Sequence, residues 1–429
     1  MKKTVATTTI GCKVNLYDTQ ALLEGFILAG YDVVDFGDFA DVYVINTCSV
    51  TNLADKKSRQ MVGRARQRNP QGIVAAVGCS TQANADKYRG LGVDIVLGNA
   101  GKNELVALVN NFNRGGLWSL VFTPSKDFEE AQVFSDTDKT RAFLKVQDGC
   151  DSFCTYCIIP YVRGRSRSRK YDDVMAQAKI FAKAGYKEIV VAGIHVASYG
   201  KDLGGGSLLS LLGDIAAIDG IERVRLSSVE PNVITSEFCE FVANHPKFCD
   251  HLHLSLQSGS DEILKQMNRK YTAGDFRKAV QMIRAVSPDI AITTDIIAGF
   301  PAETDEHHAE TMAFLKEIKL ANLHVFPYSA KDGTQAAKMK LQLTKTVKTR
   351  RVRELLALSD GLEEAYYLRF VGRVVDVLVE EMNQDGYYVG KTTNYLPVHF
   401  IADSEVLQND IVAVELEEVR DSKVFGRMK

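Results

Sequence analysis

The sequence has no apolar run that approaches the roughly 20 residues needed to span a membrane. Its first residues, MKKTVATTTIGCKVN, also lack the apolar stretch of a signal peptide. The net charge is only −2, so the chain is not uniformly basic, although it can still carry local basic patches that meet phosphate. We therefore expect a folded protein of the cytoplasm, without a membrane partner.

No class of residue dominates the composition, which is 45% hydrophobic and 25% charged, as in ordinary globular proteins. At about 100 to 200 residues per domain, 429 residues predict two to four domains. Eight cysteines are present, and a reducing compartment does not favour a disulfide framework. A group of these cysteines is therefore better explained by metal ligation or catalysis.

The first block, residues 3–112, alternates short β-branched or apolar runs with longer helical stretches. The strand-like runs are VATTTIG, DVYVINT, GIVAAVG and DIVLGN, and helices are predicted from about Leu16 and about Asn52. This alternation predicts an open parallel α/β domain with helices on both faces of its sheet.

Three cysteines of this block, Cys12, Cys48 and Cys79, each follow directly after one of the strand-like runs. The carboxyl ends of parallel strands share one edge of a sheet, where ligands bind, so these three thiols can converge on one site. A single cysteine in this place would be read as a small buried apolar residue. Its recurrence at three equivalent positions favours ligation.

The second block follows a stretch from about Asn113 to Lys139 that reads as a linker, because it is rich in Gly, Pro, Ser and acidic residues. Six strand-like runs then recur at helix-length intervals: RAFLKVQ, KEIVVAG, RVRLSS, HLHLSLQ, AITTDII and NLHVFP. We expect a partial (β/α)6 barrel whose active site lies at the carboxyl ends of its strands. A doubly wound open sheet is the alternative, because periodicity does not reveal closure.

The third block begins after a charged helix predicted from about Thr344 to Tyr367. Its runs RVVDVLVEE, GYYVGKT, LPVHF and DIVAVELEEV have no helices between them, which indicates a small OB-like β-barrel, a frequent nucleic-acid platform. The predicted domains are therefore residues 1–135, 136–366 and 367–429.

A cysteine motif opens the second block. In DGCDSFCTYCIIPYVRGR, the residues Cys150, Cys154 and Cys157 form a C-x3-C-x2-C pattern with no fourth cysteine and no histidine nearby. A closed structural zinc site needs four ligands, usually in paired short motifs. A [4Fe–4S] cluster held by three cysteines leaves one iron open for a substrate or cosubstrate. The motif therefore favours an iron–sulfur cluster.

This loop, with Tyr156 before its last cysteine, resembles that of the radical S-adenosylmethionine superfamily. The segments AGIHVASYG, RLSSVEP, LHLSLQSGSD, MNRKYT, TTDIIAGFPAET and HVFPYSAKDGT resemble, in order, motifs of its methylthiotransferase family. The upstream segments GCKVN and NTCSVT belong to the same resemblance, and the third block is similar to a TRAM domain. The resemblance covers essentially the whole chain.

The resemblance implies two [4Fe–4S] clusters, the sulfur-carrying one on Cys12, Cys48 and Cys79 and the one that cleaves S-adenosylmethionine on the C-x3-C-x2-C motif. S-adenosylmethionine would serve as both radical source and methyl donor. The residues implied over this cosubstrate lie on or just after predicted strand ends; they are Tyr156, Gly193, Ser228, Glu230, Gln257, Asp295 and Tyr328. Two segments depart from the family pattern: GFPAE has Ala302 where the family usually has glycine, and AKDGTQA lacks the commoner arginine.

The resemblance further implies a tRNA substrate, modified in its anticodon loop, and two partners: an electron donor such as flavodoxin or ferredoxin, and a sulfur donor. The motifs most resemble the branch that adds a methylthio group at carbon 2 of threonylcarbamoyladenosine at position 37. The alternatives are isopentenyladenosine, a ribosomal protein side chain, or a non-catalytic iron–sulfur sensor or RNA-binding protein, which would not cleave S-adenosylmethionine.

Two basic stretches are candidates for contact with the RNA backbone. The first is Arg163, Arg165, Arg167, Arg169 and Lys170, and the second is Lys56, Lys57, Arg59, Arg64, Arg66 and Arg68. A solvated helix face explains the second stretch equally well. Cys239 and Cys249 lie outside all motifs and are expected to be core residues. His195 is on a predicted loop, where contact with substrate and a structural role are equally compatible with the sequence.

Overall fold

A computed structural model describes residues 2–113, 118–121, 123, 125–134 and 140–429. Of the predicted linker, residues 114–117, 122, 124 and 135–139 lie outside the described residues. The described part of it is not a simple connection, because residues 118–120 form a strand and Val133 is fully buried. No helix of the described residues is long and apolar enough to cross a membrane. The cytoplasmic location remains a prediction.

The N-terminal domain is a six-stranded sheet with the order β2-β1-β3-β4-β5-β6, in which every pairing is parallel. The strands are β1 (Thr4–Thr9), β2 (Asp32–Val33), β3 (Val42–Thr47), β4 (Ile73–Gly78), β5 (Ile95–Leu97) and β6 (Trp118–Leu120). The helices are α1 (Lys13–Leu28), α2 (Asn52–Arg68), α3 (Cys79–Ala83), α4 (Asp86–Arg89) and α5 (Leu105–Asn110). The predicted open parallel α/β domain is confirmed.

Helices cover both faces of this sheet because successive strand residues point to opposite sides. Val42 and Val44 of β3 share a core with residues of α1 and α5. Tyr43 and Ile45 of the same strand share a second core with residues of α2 and α4. A strand buried on both faces is apolar throughout, which explains why DVYVINT reads as a continuous run rather than an alternating one.

The central domain contains six parallel strands that neighbour one another in chain order, and a short strand, β8, pairs antiparallel with the first of them. Isolated bridges between residues 224 and 248 and between 229 and 254 join its two hydrogen-bonded groups of strands. The strands are β7 (Arg141–Asp148), β8 (Arg167–Ser168), β9 (Glu188–Gly193), β10 (Arg223–Leu226), β11 (His251–His253), β12 (Ala291–Ala298) and β13 (Asn322–Pro327). The helices are α6 (Ile159–Arg163), α7 (Tyr171–Lys183), α8 (Leu208–Ala216), α9 (Ser236–Asn244), α10 (Asp261–Gln266), α11 (Ala273–Val286) and α12 (Asp305–Ile318).

This strand order decides between the two topologies left open by the sequence. A doubly wound sheet reverses its strand order at a switch point, whereas here β7, β9, β10, β11, β12 and β13 follow in sequence. One face of these strands packs against the surrounding helices in the largest apolar core of the protein. No pairing among the described strands joins β13 back to β7, so the barrel is partial, as predicted.

The GFPAE segment after β12 keeps a left-handed turn although its fourth residue is alanine. Ala302 has φ +63°, a conformation that is strained for any residue with a β-carbon. The carboxylate of Glu303 accepts hydrogen bonds from the backbone N–H groups of Gly299 (2.9 Å) and Phe300 (3.1 Å). These bonds hold the turn, so the departure from the family pattern does not disrupt it.

The long helix α13 (Lys345–Leu368) leads into a closed five-stranded barrel with the order β14-β15-β16-β18-β17. Its strands are β14 (Val374–Met382), β15 (Tyr388–Lys391), β16 (Pro397–Ile401), β17 (Ile411–Arg420) and β18 (Lys423–Met428). The sequence predicted four of them and missed β18, which carries Gly426 at a position that normally weakens a strand. A β-carbon on Gly426 would lie 2.2 Å from the carbonyl oxygen of Glu415, so close strand approach requires glycine here.

Two buried arginines join the terminal barrel to the central domain. Arg223 donates hydrogen bonds to the carbonyl oxygens of Lys391 and Asp376, each at 2.9 Å. Arg225 donates to the carbonyl of Thr393 at 2.8 Å and pairs with the buried carboxylate of Glu188 at 2.7 Å. The two domains therefore meet through satisfied polar groups and also through an apolar cluster, in which Ala291 and Ala321 of the central domain join residues of the barrel.

Candidate functional site

The first group of predicted ligands lies at the carboxyl edge of the N-terminal sheet. Cys12 follows β1 and precedes α1, Cys48 follows β3, and Cys79 follows β4. These strands are neighbours in the sheet, so the structure brings the three cysteines to one edge, as predicted. Gly11 (φ +119°) packs so closely that a β-carbon there would lie 3.0 Å from the sulfur of Cys48. Burial, together with the neighbouring thiols, raises the pKa of Cys48 to about 12.

A buried arginine from the central domain reaches this group. Arg163, at the end of α6, is fully buried, and its Nε donates a hydrogen bond to the sulfur of Cys79 at 3.3 Å. Its Nη1 donates to both carboxylate oxygens of Asp148 at 3.0 Å, and its Nη2 donates to Oδ1 of Asn15 at 2.5 Å. Charge-assisted bonds of this kind hold a guanidinium in one orientation. Arg163 therefore positions Cys79 against the central domain.

This placement corrects the expectation that the arginines after the cysteine loop meet RNA. Besides Arg163, Arg167 is buried and pairs with Asp148 at 3.3 Å, and Arg169 is buried and pairs with Glu130 at 2.8 Å. These three guanidiniums form ion pairs inside the protein and are not available to RNA. The exposed members of the stretch are Arg165 and Lys170.

The second basic stretch, on α2, also contains both paired and exposed residues. Arg59 pairs with Asp55 at 2.5 Å, and Arg66 pairs with Asp94 at 2.5 Å and donates to the carbonyl of Gly72. The remaining members are exposed; they are Lys56, Lys57, Arg64 and Arg68.

The second group of predicted ligands lies on the loop between β7 and α6. The N–H of Cys157 donates to the carbonyl of Cys154 at 2.9 Å, and the N–H of Cys150 donates to the carbonyl of Gly164 at 3.1 Å. Gly149 has φ +71°, and a β-carbon on it would lie 1.9 Å from a carbonyl oxygen, so the loop cannot begin its turn with another residue. Burial, together with the nearby Cys154 and Cys150, raises the pKa of Cys157 to about 12.

This loop also has a buried arginine beside it. Arg269 donates from Nη1 to the sulfur of Cys154 at 3.2 Å, from Nε to the hydroxyl of Tyr271 at 2.8 Å, and pairs with Glu230 at 2.9 Å. The sequence did not predict that Arg269 or Arg163 contacts a cysteine, and Arg163 was named only as a candidate for RNA contact. The available signals were the quoted motifs MNRKYT and CIIPYVRGR, which contain them.

The donor chemistry of both groups fits an iron–sulfur cluster. Each group consists of three thiols, and all eight cysteines of the chain are free. Among the described residues, no three His, Cys, Asp or Glu side chains form a group that could hold a single metal ion. In a [4Fe–4S] cluster each cysteine binds a different iron, so its ligands stand farther apart than those of one ion, and three ligands leave one iron open.

A cavity of about 810 Å³ runs through the interior of the partial barrel and reaches the N-terminal domain. We call it the lumen. It is lined by Cys12 of the first group and by Gly193, Ser228 and Asp295 of the predicted S-adenosylmethionine contacts. Residues implied for two different cofactors therefore share one chamber.

The other four predicted contacts lie outside the lumen wall. Tyr156 and the buried Tyr328 belong to a small apolar cluster beside the cysteine loop. Gln257 is buried in a left-handed conformation (φ +72°), and its N–H donates to the carbonyl of Asp295 at 2.9 Å. The roles of these residues toward S-adenosylmethionine stay predictions.

Glu230, the remaining predicted contact, is held by two neighbours. Burial raises its pKa, but His195, whose Nε2 lies 3.7 Å from the carboxylate, and the charge of Arg269 outweigh this and lower it. His195 also contacts the hydroxyl of Ser198 through Nδ1 at 2.6 Å. These contacts account for His195 as a positioning residue. Cys239 and Cys249 are buried in the core, as expected.

The lumen wall is polar toward the amino ends of the strands. His251 and His253 of β11 and His324 of β13 line it, together with Lys13 of α1. Burial lowers the pKa of His324 and holds that of His251 well below its usual range, so both imidazoles are neutral. His253 lies 3.4 Å from the carboxylate of Asp295. The chamber therefore offers hydrogen-bonding groups as well as an aliphatic lining.

Three regions of the chain match known protein families. Residues 4–98 match the uncharacterized protein family UPF0004, residues 144–315 match the radical SAM superfamily, and residues 368–429 match the TRAM domain. The three matches fall in the three structural domains described above.

The chain is similar over nearly its full length to curated proteins. It is 41% identical to the threonylcarbamoyladenosine tRNA methylthiotransferase MtaB of Bacillus subtilis, with 96% of this chain and 93% of the relative covered. It is 34% identical to a tRNA-2-methylthio-N(6)-dimethylallyladenosine synthase of Acetivibrio thermocellus, with 99% and 91% covered.

A solved structure supports the fold. The radical S-adenosylmethionine methyltransferase TsrM of Kitasatospora setae superposes with a TM-score of 0.56 at 14% identity, covering 76% of this chain and 73% of that one. With relatives above 30% identity over almost the entire sequence, and with both cysteine groups assembled in the fold, the chain belongs to the radical S-adenosylmethionine family of tRNA methylthiotransferases.

Proposed function

We propose that this enzyme inserts a methylthio group at carbon 2 of threonylcarbamoyladenosine at position 37, next to the anticodon of tRNA. The observation that carries the proposal is the lumen, in which Cys12 and three of the predicted S-adenosylmethionine contacts, Gly193, Ser228 and Asp295, face one chamber. A base held there would lie between the sulfur source and the radical source.

The reaction requires this arrangement because no side chain is basic enough to remove the hydrogen from carbon 2 of an adenine. In the proposal, the cluster on Cys150, Cys154 and Cys157 supplies the electron that cleaves S-adenosylmethionine, and the one on Cys12, Cys48 and Cys79 supplies sulfur. Two [4Fe–4S] clusters per chain follow, with a second S-adenosylmethionine as methyl donor. An electron donor such as flavodoxin or ferredoxin and a sulfur donor complete the set of partners.

The chain itself would position and shield the reacting groups. Arg163 and Arg269 each donate a hydrogen bond to one ligand sulfur, at 3.3 Å and 3.2 Å, and so fix one cysteine of each group. Neighbours of this kind orient ligands and tune the cluster that they hold. The seven predicted cosubstrate contacts, of which Gly193, Ser228 and Asp295 line the lumen, remain part of this proposal.

We assign the functional units to residues 1–135, 136–366 and 367–429, with the terminal barrel as a tRNA-binding unit. Its β15–β16 loop supports this role, because Lys391, Asn394 and Tyr395 form part of the lumen wall. The barrel would thus hold the tRNA and complete the chamber that receives the base. Position 37 lies in a single-stranded loop, so turning its base inward costs only unstacking.

Isopentenyladenosine is the rival substrate, since relatives with that activity in their name are also similar to this chain. An isopentenyl group is wholly apolar, whereas this lumen carries Lys13 and three histidines. A site built for polar groups rejects an apolar substituent because its own polar groups lose their partners. The charged and polar groups of the lumen therefore favour threonylcarbamoyladenosine. The names of the similar curated proteins favour a tRNA over a ribosomal protein side chain.

In the deciding experiment, anaerobically reconstituted enzyme is incubated with reductant, S-adenosylmethionine and one of two tRNAs. One tRNA carries threonylcarbamoyladenosine and the other carries isopentenyladenosine. Nucleoside mass spectrometry should detect the methylthio product on the threonylcarbamoyl tRNA and not on the isopentenyl tRNA. The reverse preference would reject the substrate. Absence of 5′-deoxyadenosine in every reaction would reject the radical mechanism and favour a non-catalytic iron–sulfur protein.

A further inference from the structure

One cation in the lumen is not explained by the fold. Lys13 lies beside Cys12 in the lumen wall, and among the described residues its ammonium group has no ion-pair or hydrogen-bond partner. It is also the first residue of α1, whose first turn contains no acidic residue. A positive charge at the positive end of a helix dipole is locally unfavourable. Lys13 therefore makes no evident contribution to stability where it stands.

Two further groups of the same wall have unused hydrogen-bonding capacity. Ser227 and His251 are only 5% and 7% exposed, and within the described ranges neither Oγ of Ser227 nor Nδ1 of His251 has a hydrogen-bond partner. Both residues line the lumen. Buried polar atoms are nearly always hydrogen-bonded, so an orphaned pair on one chamber wall indicates a ligand that satisfies them.

The charges around the lumen favour an anion. The acidic side chains of its wall are engaged, because Asp295 faces His253 at 3.4 Å and Glu363 accepts hydrogen bonds from Asn322 and Tyr367. The lysines of the wall, Lys13 and Lys391, have no ion-pair partner among the described residues.

Behind this wall, three arginines lie near the carboxyl groups of Glu380, Glu188 and Asp250. Arg141 pairs with Glu380, and Arg223 and Arg225 share the single carboxylate of Glu188. These groups balance one another in number, so the positive charge of the wall comes from Lys13 and Lys391.

We propose that Lys13, with Ser227 and His251, forms a subsite for the carboxylate-bearing substituent of the substrate base. Lys13 pairs with the carboxylate, while Ser227 Oγ and His251 Nδ1 bond the polar atoms of the threonylcarbamoyl chain. Lys13 is then the residue that determines specificity, because it separates an anionic substituent from an apolar one. This assignment rests on the proposed function and adds the side chain that would enforce it.

The test uses an anticodon stem-loop RNA that carries threonylcarbamoyladenosine and the same RNA with the carboxylate blocked as its methyl ester. Both are titrated against reconstituted enzyme at fixed salt. The dissociation constant of the acid should be about tenfold to a hundredfold lower than that of the ester, the range that a hydrogen bond to a charged group contributes. Lys13→Met should bring this ratio to within about twofold, and Lys13→Arg should restore most of it.

Two controls make the result specific. Lys179→Met, which removes an exposed lysine of α7, should keep the wild-type ratio. The iron content of each variant is measured alongside, because Lys13 adjoins Cys12, and restoration by arginine must occur at equal iron content. A Lys13→Met enzyme that still distinguishes acid from ester overturns the assignment of Lys13. Wild-type enzyme that methylthiolates only isopentenyl tRNA overturns the proposed function instead, so the two failures are distinguishable.

Discussion

Arg163 and Cys79 lie 84 positions apart in the sequence, yet Nε of the arginine donates a hydrogen bond to the sulfur of the cysteine at 3.3 Å. The same guanidinium pairs with Asp148, two residues before the first cysteine of the other group. One buried side chain thus contacts a ligand of one group and adjoins the loop that carries the other. The relative placement of the two cysteine groups depends on it.

Replacing this arginine should destabilise the protein. Arg163→Met leaves the buried carboxylates of Asp148 and Asp18 short of a partner, and breaking a buried pair costs about 3–5 kcal/mol. Urea unfolding measures the loss. Arg165→Met is the matched control, because that side chain is 75% exposed and its ion pair with Asp151 contributes less than about 1 kcal/mol. Equal midpoints for the two variants would contradict the role of Arg163.

The assignment of two clusters predicts the iron content. Six cysteines in two groups should hold about eight irons per chain after anaerobic reconstitution. Cys154→Ala should lose about half of this iron, and so should the triple alanine variant of Cys12, Cys48 and Cys79. Cys239→Ala is the control, because that cysteine is a core residue outside both groups. A full iron complement in the triple variant would show that the upstream cluster is wrongly placed.

The division of roles between the clusters predicts that loss of methylthio product can occur without loss of S-adenosylmethionine cleavage. Cys48→Ala should still cleave S-adenosylmethionine reductively but form no methylthio product, because it keeps the radical source and loses the sulfur source. Cys157→Ala should lose both activities. Production of 5′-deoxyadenosine is measured by chromatography and product by nucleoside mass spectrometry. Equal loss of cleavage in both variants would argue against separate roles.

The buried pair beneath the terminal barrel predicts a pH dependence of stability. Burial raises the pKa of Glu188, but Arg225 at 2.7 Å outweighs this and lowers it below the ordinary value. A carboxyl with a lowered pKa stabilises the fold above its unfolded pKa of about 4.3, and this contribution is lost as the pH falls through the folded value. Glu188→Gln should therefore cost about 3–5 kcal/mol near pH 7, and the difference from wild type should shrink below about pH 4.

The urea unfolding midpoints of wild type and Glu188→Gln, compared at neutral and at acidic pH, measure this difference. Effects of acid on the clusters are common to both proteins and cancel in the comparison. Glu317→Gln serves as the control, because Glu317 pairs with Arg277 on the surface with a side chain that is 55% exposed. A Glu188→Gln deficit that is unchanged between neutral and acidic pH would contradict the linkage.

Features that depend on short-range pattern were predicted correctly from the sequence. The runs that became β1, β3, β4 and β5, the six strands of the partial barrel and four strands of the terminal barrel were all identified, because strand periodicity and turn residues are local signals. The convergence of Cys12, Cys48 and Cys79 followed as well, since strand ends of a parallel sheet share one edge. β18 was missed because Gly426 breaks the apolar pattern for a reason that lies on β17.

What the sequence alone determined is the set of elements, their order and the two groups of cysteines. Only the tertiary structure decided which charged residues are available to bind a substrate. Arg163, Arg167 and Arg169 read as a basic surface in the sequence but are buried in ion pairs, whereas Lys13 lines the lumen and has no ion-pair or hydrogen-bond partner in the part of the chain that the structure describes. The physical reason is that burial and charge pairing depend on residues far apart in the sequence, such as Tyr17 and Arg169, which are 152 positions apart. Their meeting is set by how the domains pack, and no local pattern records it.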